Sequence, residues 1–196
     1  LIALSDMLHF CKGGAGGMET QRLFLRPWAE SDAAALYRYA CDPAIGPRCG
    51  WPVHTSVEAS REVIRQALSA PGTFAVVRKE TGLPIGSIGW KAPAAAPAFL
   101  RPGEVELGYW IGRPYWGQGL IPEAVRALLA LCFADPACPG VWCGYYDGNE
   151  ASRRVQEKCG FVYHHTEPDK PCPLLGNRHT EHYTYLSRKL WKERMP

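Results

Sequence analysis

The stretch from residue 104 to residue 133 constrains the fold more than any other part of the chain. A strand-like run over Glu104–Ile111 leads into the glycine-rich turn Pro114–Leu120, and a helix is predicted from about Ile121 to Phe133. Apolar side chains recur along that helix at the spacing of one buried face. A strand that passes through a short turn into such a helix predicts a sheet with helices packed on it.

The remaining segments alternate between strand-like and helix-like patterns. Alternating polar and apolar residues indicate half-buried strands, and capping residues before periodic apolar runs indicate helices. Strands are predicted at about residues 22–28, 74–79, 85–90, 104–111, 141–146, 161–166 and 179–188, helices at about 31–40, 55–70, 121–133 and 149–158, and a long loop at 92–102. This order, βααβββαβαββ, predicts a mixed α/β or α+β sheet with helices packed on it.

Composition and charge exclude several functional classes. With 196 residues, 46% of them hydrophobic, the chain can bury one substantial core. A net charge of +3 offers no clustered basic surface for nucleic acid, and no run reaches the roughly 18 apolar residues of a membrane span. None of the eight cysteines forms a C-x-x-C pair, which argues against zinc ribbons and thioredoxin-type sites. We expect a cytoplasmic protein with reduced cysteines, a disulfide or a reactive thiol being the alternative.

The first residues differ from the rest of the chain. Residues 1–10 lack the basic start and the cleavage site of a signal peptide, and four glycines around Ala15 resemble a flexible linker. We expect residues 1–17 to be a flexible extension or a cloning remnant, and residues 18–196 to form a single domain.

The turn Pro114–Leu120 has the features of an anion site. Gly117 and Gly119 would let the backbone approach a ligand closely, several N–H groups would point to one place, and the dipole of the following helix favours negative charge. The alternative is that the two glycines serve only packing. A dinucleotide-binding turn would need a third glycine where the chain has Pro122.

A second cluster begins with Asn149 as a helix N-cap and ends at Gly160, which is a helix-stop signal. In their order and spacing, these motifs closely resemble the GNAT superfamily of acyl-CoA-dependent N-acyltransferases, in particular its branch related to ribosomal-protein-alanine N-acetyltransferases. The resemblance extends from Arg22 to about Arg188 and is carried by Glu106–Ile111, by Tyr115–Gly119 followed by Glu123 and Ala124, and by Asn149–Ser152 ending in Lys158–Phe161. It implies a mostly antiparallel sheet of about seven strands, splayed after the fourth and flanked by about four helices.

The resemblance also implies acetyl-CoA as co-substrate, without a metal, and assigns residues to it. The backbone of Tyr109, Trp110 and Ile111 would bind the pantetheine arm, and the N–H groups of Trp116, Gly117, Gln118, Gly119 and Leu120 would bind the pyrophosphate. Asn149 and Ser152 match positions near the thioester and are candidates for both cofactor binding and catalysis. Arg153, Arg154 and Lys158 could neutralise phosphates or could simply be solvated.

A base must take a proton from the attacking amine, because a protonated amine cannot attack a thioester. Glu104 and Glu106 are two residues apart and therefore point to the same face of a strand. Glu106 lies where the family often places its base, so the resemblance favours it. The alternative is that both glutamates are solvated on an exposed sheet face.

Two positions depart from the family pattern. Pro114 stands where the cofactor turn usually begins with glutamine or arginine, and Val155 stands where many members have a tyrosine that acts as the general acid. Without that tyrosine, the leaving CoA thiolate would take its proton from Ser152 or from water, or it would leave without an acid.

The histidines and aromatic residues carry weaker signals. His179, Glu181 and Tyr183 share one strand face, which favours a solvated surface over an acceptor site. Trp51 and Trp90 could line an acceptor cleft but are more typical of a core. Tyr145 has the same two interpretations.

The sequence therefore predicts an acetyl-CoA-dependent N-acetyltransferase that acts by direct attack in a ternary complex. The acceptor is a primary amine, either a protein N-terminal α-amine or a small-molecule amine. One alternative is a non-catalytic acyl-CoA-binding or sensor domain, and another is an acetyltransferase that detoxifies an antibiotic or metabolite. No nucleic-acid or membrane partner is expected, and the chain could form a homodimer.

Overall fold

The computed structural model describes residues 17–91 and 97–194, and its strands form an eight-stranded sheet. In chain order the elements are β1 (Met18–Glu19), β2 (Leu23–Arg26), α1 (Ala33–Ala40), α2 (Val57–Val63), β3 (Thr73–Arg78), β4 (Pro84–Trp90), β5 (Val105–Ile111), α3 (Leu120–Ala134), β6 (Gly140–Tyr146), α4 (Glu150–Lys158), β7 (Val162–Cys172), β8 (Asn177–Ser187) and α5 (Arg188–Arg194). The spatial order of the strands is β1-β2-β3-β4-β5-β6-β8-β7. Neighbouring strands run antiparallel, except for the parallel pair β5–β6.

The parallel pair opens into a splay. Strands β5 and β6 are paired over only three residues each, from the pair Val105–Val141 to the pair Leu107–Cys143. Beyond that point β5 stays paired with β4 as far as Ile111, while β6 stays paired with β8. The two halves of the sheet therefore separate between β5 and β6, and a gap forms that no strand of the described chain fills.

Helices cover both faces of the sheet, and β3 shows why. Its residues alternate, so that Phe74 and Val76 join the core under α3, while Ala75 and Val77 join a second core under α1 and α2. On α3, the buried face is formed by Leu120, Ile121, Ala124, Val125, Leu128, Leu129 and Cys132. A strand that is buried on both faces lies in the middle of a layered α/β structure.

The predicted fold class is confirmed, with additions. The structure adds the two-residue strand β1, which brings the number of strands to eight. Strand β5 therefore corresponds to the fourth of the seven strands expected from the sequence. The splay follows this strand, as expected. The last strand was expected to continue to residue 188, but the chain turns into α5 there. Trp191 of this helix stacks on Phe133 at 5.4 Å between ring centroids.

Three smaller expectations are refined or lie outside the described residues. The second helix is capped by Ser56, whose hydroxyl accepts the Ala59 N–H at 3.0 Å, and it continues as a π-turn over Ile64–Leu68. The expected N-terminal extension lies outside the described residues except for residue 17, as does the part of the expected loop at 92–96. In the described chain, none of the helices has the length and apolar character needed to cross a bilayer.

Candidate active site

A cavity of about 790 Å³ lies at the splay between β5 and β6. Strand β5 follows its wall from Glu106, near the start of the strand, to Ile111, after which the chain enters the glycine-rich turn. The start of α4 forms the opposite wall through Asn149 and Ser152. The cavity therefore joins the two segments that the sequence singled out, although 28 residues separate Leu120 from Asn149 along the chain.

The glycine-rich turn presents open backbone to this cavity. Gly117 and Gly119 have φ angles of +75° and +72°, a left-handed conformation that glycine adopts without strain. A Cβ atom at Gly117 would meet no heavy atom within 4 Å, and one at Gly119 would meet only Arg22 Nη2, at 3.7 Å. Because Gly119 caps α3, the partial positive charge of the helix N-terminus faces this open space.

The side chains of the turn hold its shape. Trp116 Nε1 donates to the Ile111 carbonyl at 2.9 Å, and Gln118 Nε2 donates to the Pro114 carbonyl at 2.9 Å. The backbone N–H of Trp116 also has a partner, the Arg113 carbonyl at 3.1 Å. Of the five predicted amide donors, Trp116 is therefore already engaged.

The end of β5 has an open edge. Tyr109, Trp110 and Ile111 pair with Ile88, Ser87 and Gly86 of β4, respectively, whereas the pairing with β6 has ended at Leu107. The edge that faces the gap is therefore available to another extended chain. Such an edge matches the predicted role of these three residues in binding a pantetheine arm.

Asn149 and Ser152 take part in a partly buried polar network. Asn149 Oδ1 caps α4 by accepting the Ser152 N–H at 3.3 Å. Ser152 Oγ lies 3.0 Å from the Tyr109 hydroxyl and 3.2 Å from Gln156 Nε2. Burial raises the pKa of Tyr109 well above its usual value, so this phenol keeps its proton at neutral pH. The structure thus adds a side-chain hydroxyl at Tyr109, where the sequence pointed only to backbone.

Glu106 of β5 and Glu104, which lies just before that strand, have different environments. Glu104 accepts hydrogen bonds from the Arg101 backbone and side chain, from Trp142 Nε1 at 2.8 Å and from the Tyr185 hydroxyl at 3.0 Å. These donors outweigh burial and lower the pKa of Glu104. Glu104 lies outside the cavity wall, so its role is structural.

Glu106 lines the cavity and is only 1% exposed, so the solvated alternative is wrong for this residue. Its Oε1 lies 2.6 Å from Lys91 Nζ, whereas Oε2 has no hydrogen-bond partner among the described residues. Burial raises the pKa of Glu106, and the Lys91 charge opposes that rise without cancelling it. The side chain therefore combines a raised proton affinity with one free oxygen, which suits a general base.

Lys91 is a cavity residue that the sequence did not single out, and Glu181 lines the cavity although a solvated face was the favoured expectation for it. The face that carries Glu181 and Tyr183 was expected to be solvated, but it is buried, with these residues 7% and 0% exposed. Lys170 Nζ lies 2.7 Å from Glu181 Oε2, and the Tyr183 hydroxyl donates to the same oxygen at 2.8 Å. The pairing of β7 with β8 brings these side chains together, which no local motif signals.

The aromatic candidates serve both the core and the cavity. Trp51, Trp90 and Tyr145 all line the cavity wall. Trp51 packs edge-on against Trp110 at 5.8 Å, and Trp90 against Phe74 at 5.9 Å. The rings of Trp51 and Trp90 are therefore held by aromatic contacts on one side and line the cavity on another, whereas Tyr145 packs against His182 at 5.0 Å.

The basic residues of α4 divide into two groups. Arg154 and Lys158 line the cavity, whereas Arg153 pairs with Glu150 at 2.7 Å on the exposed face. Only Arg154 and Lys158 are therefore placed to meet a bound anion. Over residues 17–91 and 97–194, no three His, Cys, Asp or Glu side chains converge as a metal site requires.

Comparison with known proteins identifies relatives of this site and fold. A family model described as an acetyltransferase (GNAT) domain matches residues 22–162. "Uncharacterized N-acetyltransferase p20" of Bacillus licheniformis is 33% identical over 121 residues, which cover 59% of this chain and 65% of p20. "Putative ribosomal N-acetyltransferase YdaF" of Bacillus subtilis is 32% identical over 89 residues, 45% of this chain and 48% of YdaF. The chain thus spans less than two thirds of the length of these two relatives.

Solved structures share the fold. An acetyltransferase of the GNAT family from Bacillus anthracis has a TM-score of 0.76 at 20% identity, covering 88% of this chain and 99% of that one. AAC(6')-Ib, solved with ribostamycin and coenzyme A, has a TM-score of 0.72 at 21% identity, covering 90% and 99%.

The match to YdaF bears out the resemblance to ribosomal N-acetyltransferases that the motifs indicated. Because the family model covers well over half of its residues, the chain belongs to the GNAT acetyltransferase family.

Proposed function

We propose that this protein transfers an acetyl group from acetyl-CoA to a primary amine, by direct attack in a ternary complex. The observation that carries the proposal is that one cavity contains the open edge of β5, the uncovered glycine turn, the start of α4 and Glu106. An extended pantetheine arm fits the open edge, and a pyrophosphate fits the space in front of Gly117 and Gly119, where added side-chain atoms would meet almost nothing. The AAC(6')-Ib complex with coenzyme A supports this choice of co-substrate.

Glu106 is the general base of the proposed reaction. Bound acetyl-CoA supplies the thioester whose carbonyl carbon the amine attacks, and the C–S bond breaks as the N–C bond forms. Glu106 Oε2, which has no partner among the described residues, takes the proton that the attacking nitrogen loses. Lys91 holds the other oxygen and so fixes the direction of the carboxylate.

The departing thiolate takes its proton from the hydroxyl pair Ser152–Tyr109. Ser152 at the start of α4 and Tyr109 of β5 both lie on the cavity wall, and the Tyr109 phenol, whose pKa burial raises, carries its proton at neutral pH. The phenol can return a proton to Ser152 after transfer, since the two oxygens are 3.0 Å apart. Asn149 positions Ser152 through its capping hydrogen bond.

Ser152→Ala is expected to lower kcat by about 10- to 100-fold, because the loss of general-acid help slows thiolate departure. Tyr109→Phe is expected to cause a similar loss, and the double variant no more than the worse single one, since both changes break the same pair. Release of free CoA thiol at saturating acetyl-CoA measures these rates. Ser60→Ala, which removes a buried hydroxyl outside the cavity, is the matched control. If the fold-loss in kcat of the double variant equalled the product of the two single losses, Ser152 and Tyr109 would act independently and the paired role would be contradicted.

The non-catalytic sensor is the main alternative, and a direct assay separates it from a transferase. Calorimetry measures acetyl-CoA binding, and CoA thiol release is measured over a panel of peptides with free N-termini and of small amines. Turnover with at least one amine is expected. Binding without release on any amine would favour the sensor.

The reducing conditions of the cytoplasm suit the described cysteines, which are all free thiols. The YdaF name supports a protein N-terminal amine as acceptor, and the AAC(6')-Ib name supports a small-molecule amine. The amine panel tests both kinds of acceptor.

A further inference from the structure

The part of the cavity wall formed by Trp51, Lys91, Glu106 and Glu181, here called the acceptor end, contains two carboxylates and a lysine. We propose that it takes an amine carried on an apolar and otherwise uncharged body, and that Lys91 and Lys170 exclude polycationic amines. This specificity rests on the proposed acetyl transfer and names its substrate class.

Each carboxylate at the acceptor end already has a cationic partner. Glu106 Oε1 lies 2.6 Å from Lys91 Nζ, and Glu181 Oε2 lies 2.7 Å from Lys170 Nζ. Both glutamates are buried, whereas the side chains of Lys91 and Lys170 are 38% and 29% exposed, so each pair is shielded from solvent on its carboxylate side only. A ligand ammonium group would have to displace a lysine before it could gain a full ion pair.

The charges of the whole cavity also disfavour a polycation. Its charged lining residues within the described chain are Arg48, Lys91, Arg154, Lys158, Glu106 and Glu181. Cations therefore outnumber carboxylates on the wall, and Lys170 adds one more just behind Glu181. The phosphates of bound CoA compensate Arg154 and Lys158, which leaves the acceptor end without excess negative charge.

One polar position remains for one amine. Glu106 Oε2 is buried, lies on the cavity wall and has no partner among the described residues. It can accept one N–H hydrogen bond from the reacting nitrogen, and an acceptor with a single amine needs no more than this. A second ammonium group on the same acceptor would lose its hydration without finding an unpaired carboxylate.

The remainder of the wall suits an apolar body. Beside Trp51 and Trp90, the lining includes Ile45, Leu68 and Pro71. Moving an aliphatic or aromatic group from water to such a surface is favourable. Moving a charged group there costs much of its hydration free energy. The lining and the charges therefore select the same class of acceptor.

A matched pair of amines tests the inference. Hexylamine and hexamethylenediamine share one apolar chain and differ by a second ammonium group. We expect kcat/KM, measured as CoA thiol release by the full chain at pH 7, to be at least about tenfold higher for hexylamine. Spermidine and ribostamycin are expected to be poor acceptors for the same reason.

Lys170→Met provides the second arm, because Lys170 lies outside the cavity wall and its loss unpairs Glu181. We expect KM for the diamine to fall about tenfold while KM for hexylamine stays within about twofold. Lys170→Arg should retain the wild-type ratio. Lys79→Met removes the same charge from an exposed pair with Glu19 and should leave the ratio unchanged.

The outcomes separate the two proposals. Equal or higher kcat/KM for hexamethylenediamine in the wild-type protein would overturn the exclusion of polycations and leave acetyl transfer intact. An unchanged ratio in Lys170→Met, with the melting temperature preserved, would remove Lys170 from the proposal and overturn it as stated. Acetyl-CoA binding without thiol release on any amine would overturn acetyl transfer itself, and this specificity with it.

Discussion

Glu106→Gln is expected to lower kcat/KM by about 100-fold or more at pH 7, and by much less at pH 9. The glutamine retains the size and one oxygen of the side chain but cannot take a proton from the attacking nitrogen. The free fraction of an amine with a pKa near 10 rises about 100-fold between these two pH values, so the need for a base declines. CoA thiol release with hexylamine at both pH values measures the effect.

The wild-type protein should also lose activity in acid in a way that the variant does not. Burial raises the pKa of Glu106 above its usual value, although Lys91 opposes the rise. As the pH falls through that raised pKa, the carboxylate becomes protonated and can no longer act as a base. Once kcat/KM is corrected for the free fraction of the amine, the acid limb of the wild-type profile is therefore expected above the ordinary range of a glutamate, and Glu106→Gln should lack it.

Glu104→Gln is the matched control, since it changes a second buried glutamate, which lies just before the same strand. Glu104 binds Arg101, Trp142 and Tyr185 outside the cavity. Its substitution should lower the free energy of unfolding by about 1–3 kcal/mol and leave kcat/KM per folded molecule close to wild type. If both variants lose activity equally, or if Glu106→Gln retains the wild-type kcat/KM and its pH profile, Glu106 is not the base.

These two glutamates also show how far the sequence could predict the site. Strand alternation places Glu104 and Glu106 on one face, so periodicity alone cannot separate them. The difference lies in Trp142 and Tyr185, which reach Glu104 from β6 and β8. Such partners depend on the pairing of distant strands, and no local pattern records them.

The order of elements was predictable because most of them carry their own signal. Helix α3 has a continuous apolar face, and its preceding turn has glycines at positions that require positive φ. Helix α5 has no comparable signal, because it depends on the contact of Trp191 with Phe133. Lys91 and Lys170 were missed for the same reason, since an isolated lysine indicates a solvated charge until its partner is known.

Gly119→Trp is expected to raise the Kd for acetyl-CoA by about 100-fold or more, equal to about 2.8 kcal/mol of binding free energy. The added side chain would enter the open space in front of the turn, where the pyrophosphate is proposed to bind. Within the protein, a Cβ there meets only Arg22 Nη2, at 3.7 Å, so the first atom of the new side chain has room. Isothermal calorimetry with acetyl-CoA measures the affinity directly.

The control for this change must reproduce its backbone strain without touching the cavity, and Gly82 offers this. Gly82 has a φ of +68°, a Cβ there would meet nothing within 4 Å, and it lies in the β3–β4 turn outside the cavity wall. Gly82→Trp and Gly119→Trp should therefore both lose about 1–2 kcal/mol of stability from the left-handed backbone. Only Gly119→Trp should lose acetyl-CoA binding. Unchanged affinity in that variant, with the fold intact by circular dichroism, would place the phosphates elsewhere and remove the turn from the proposed site.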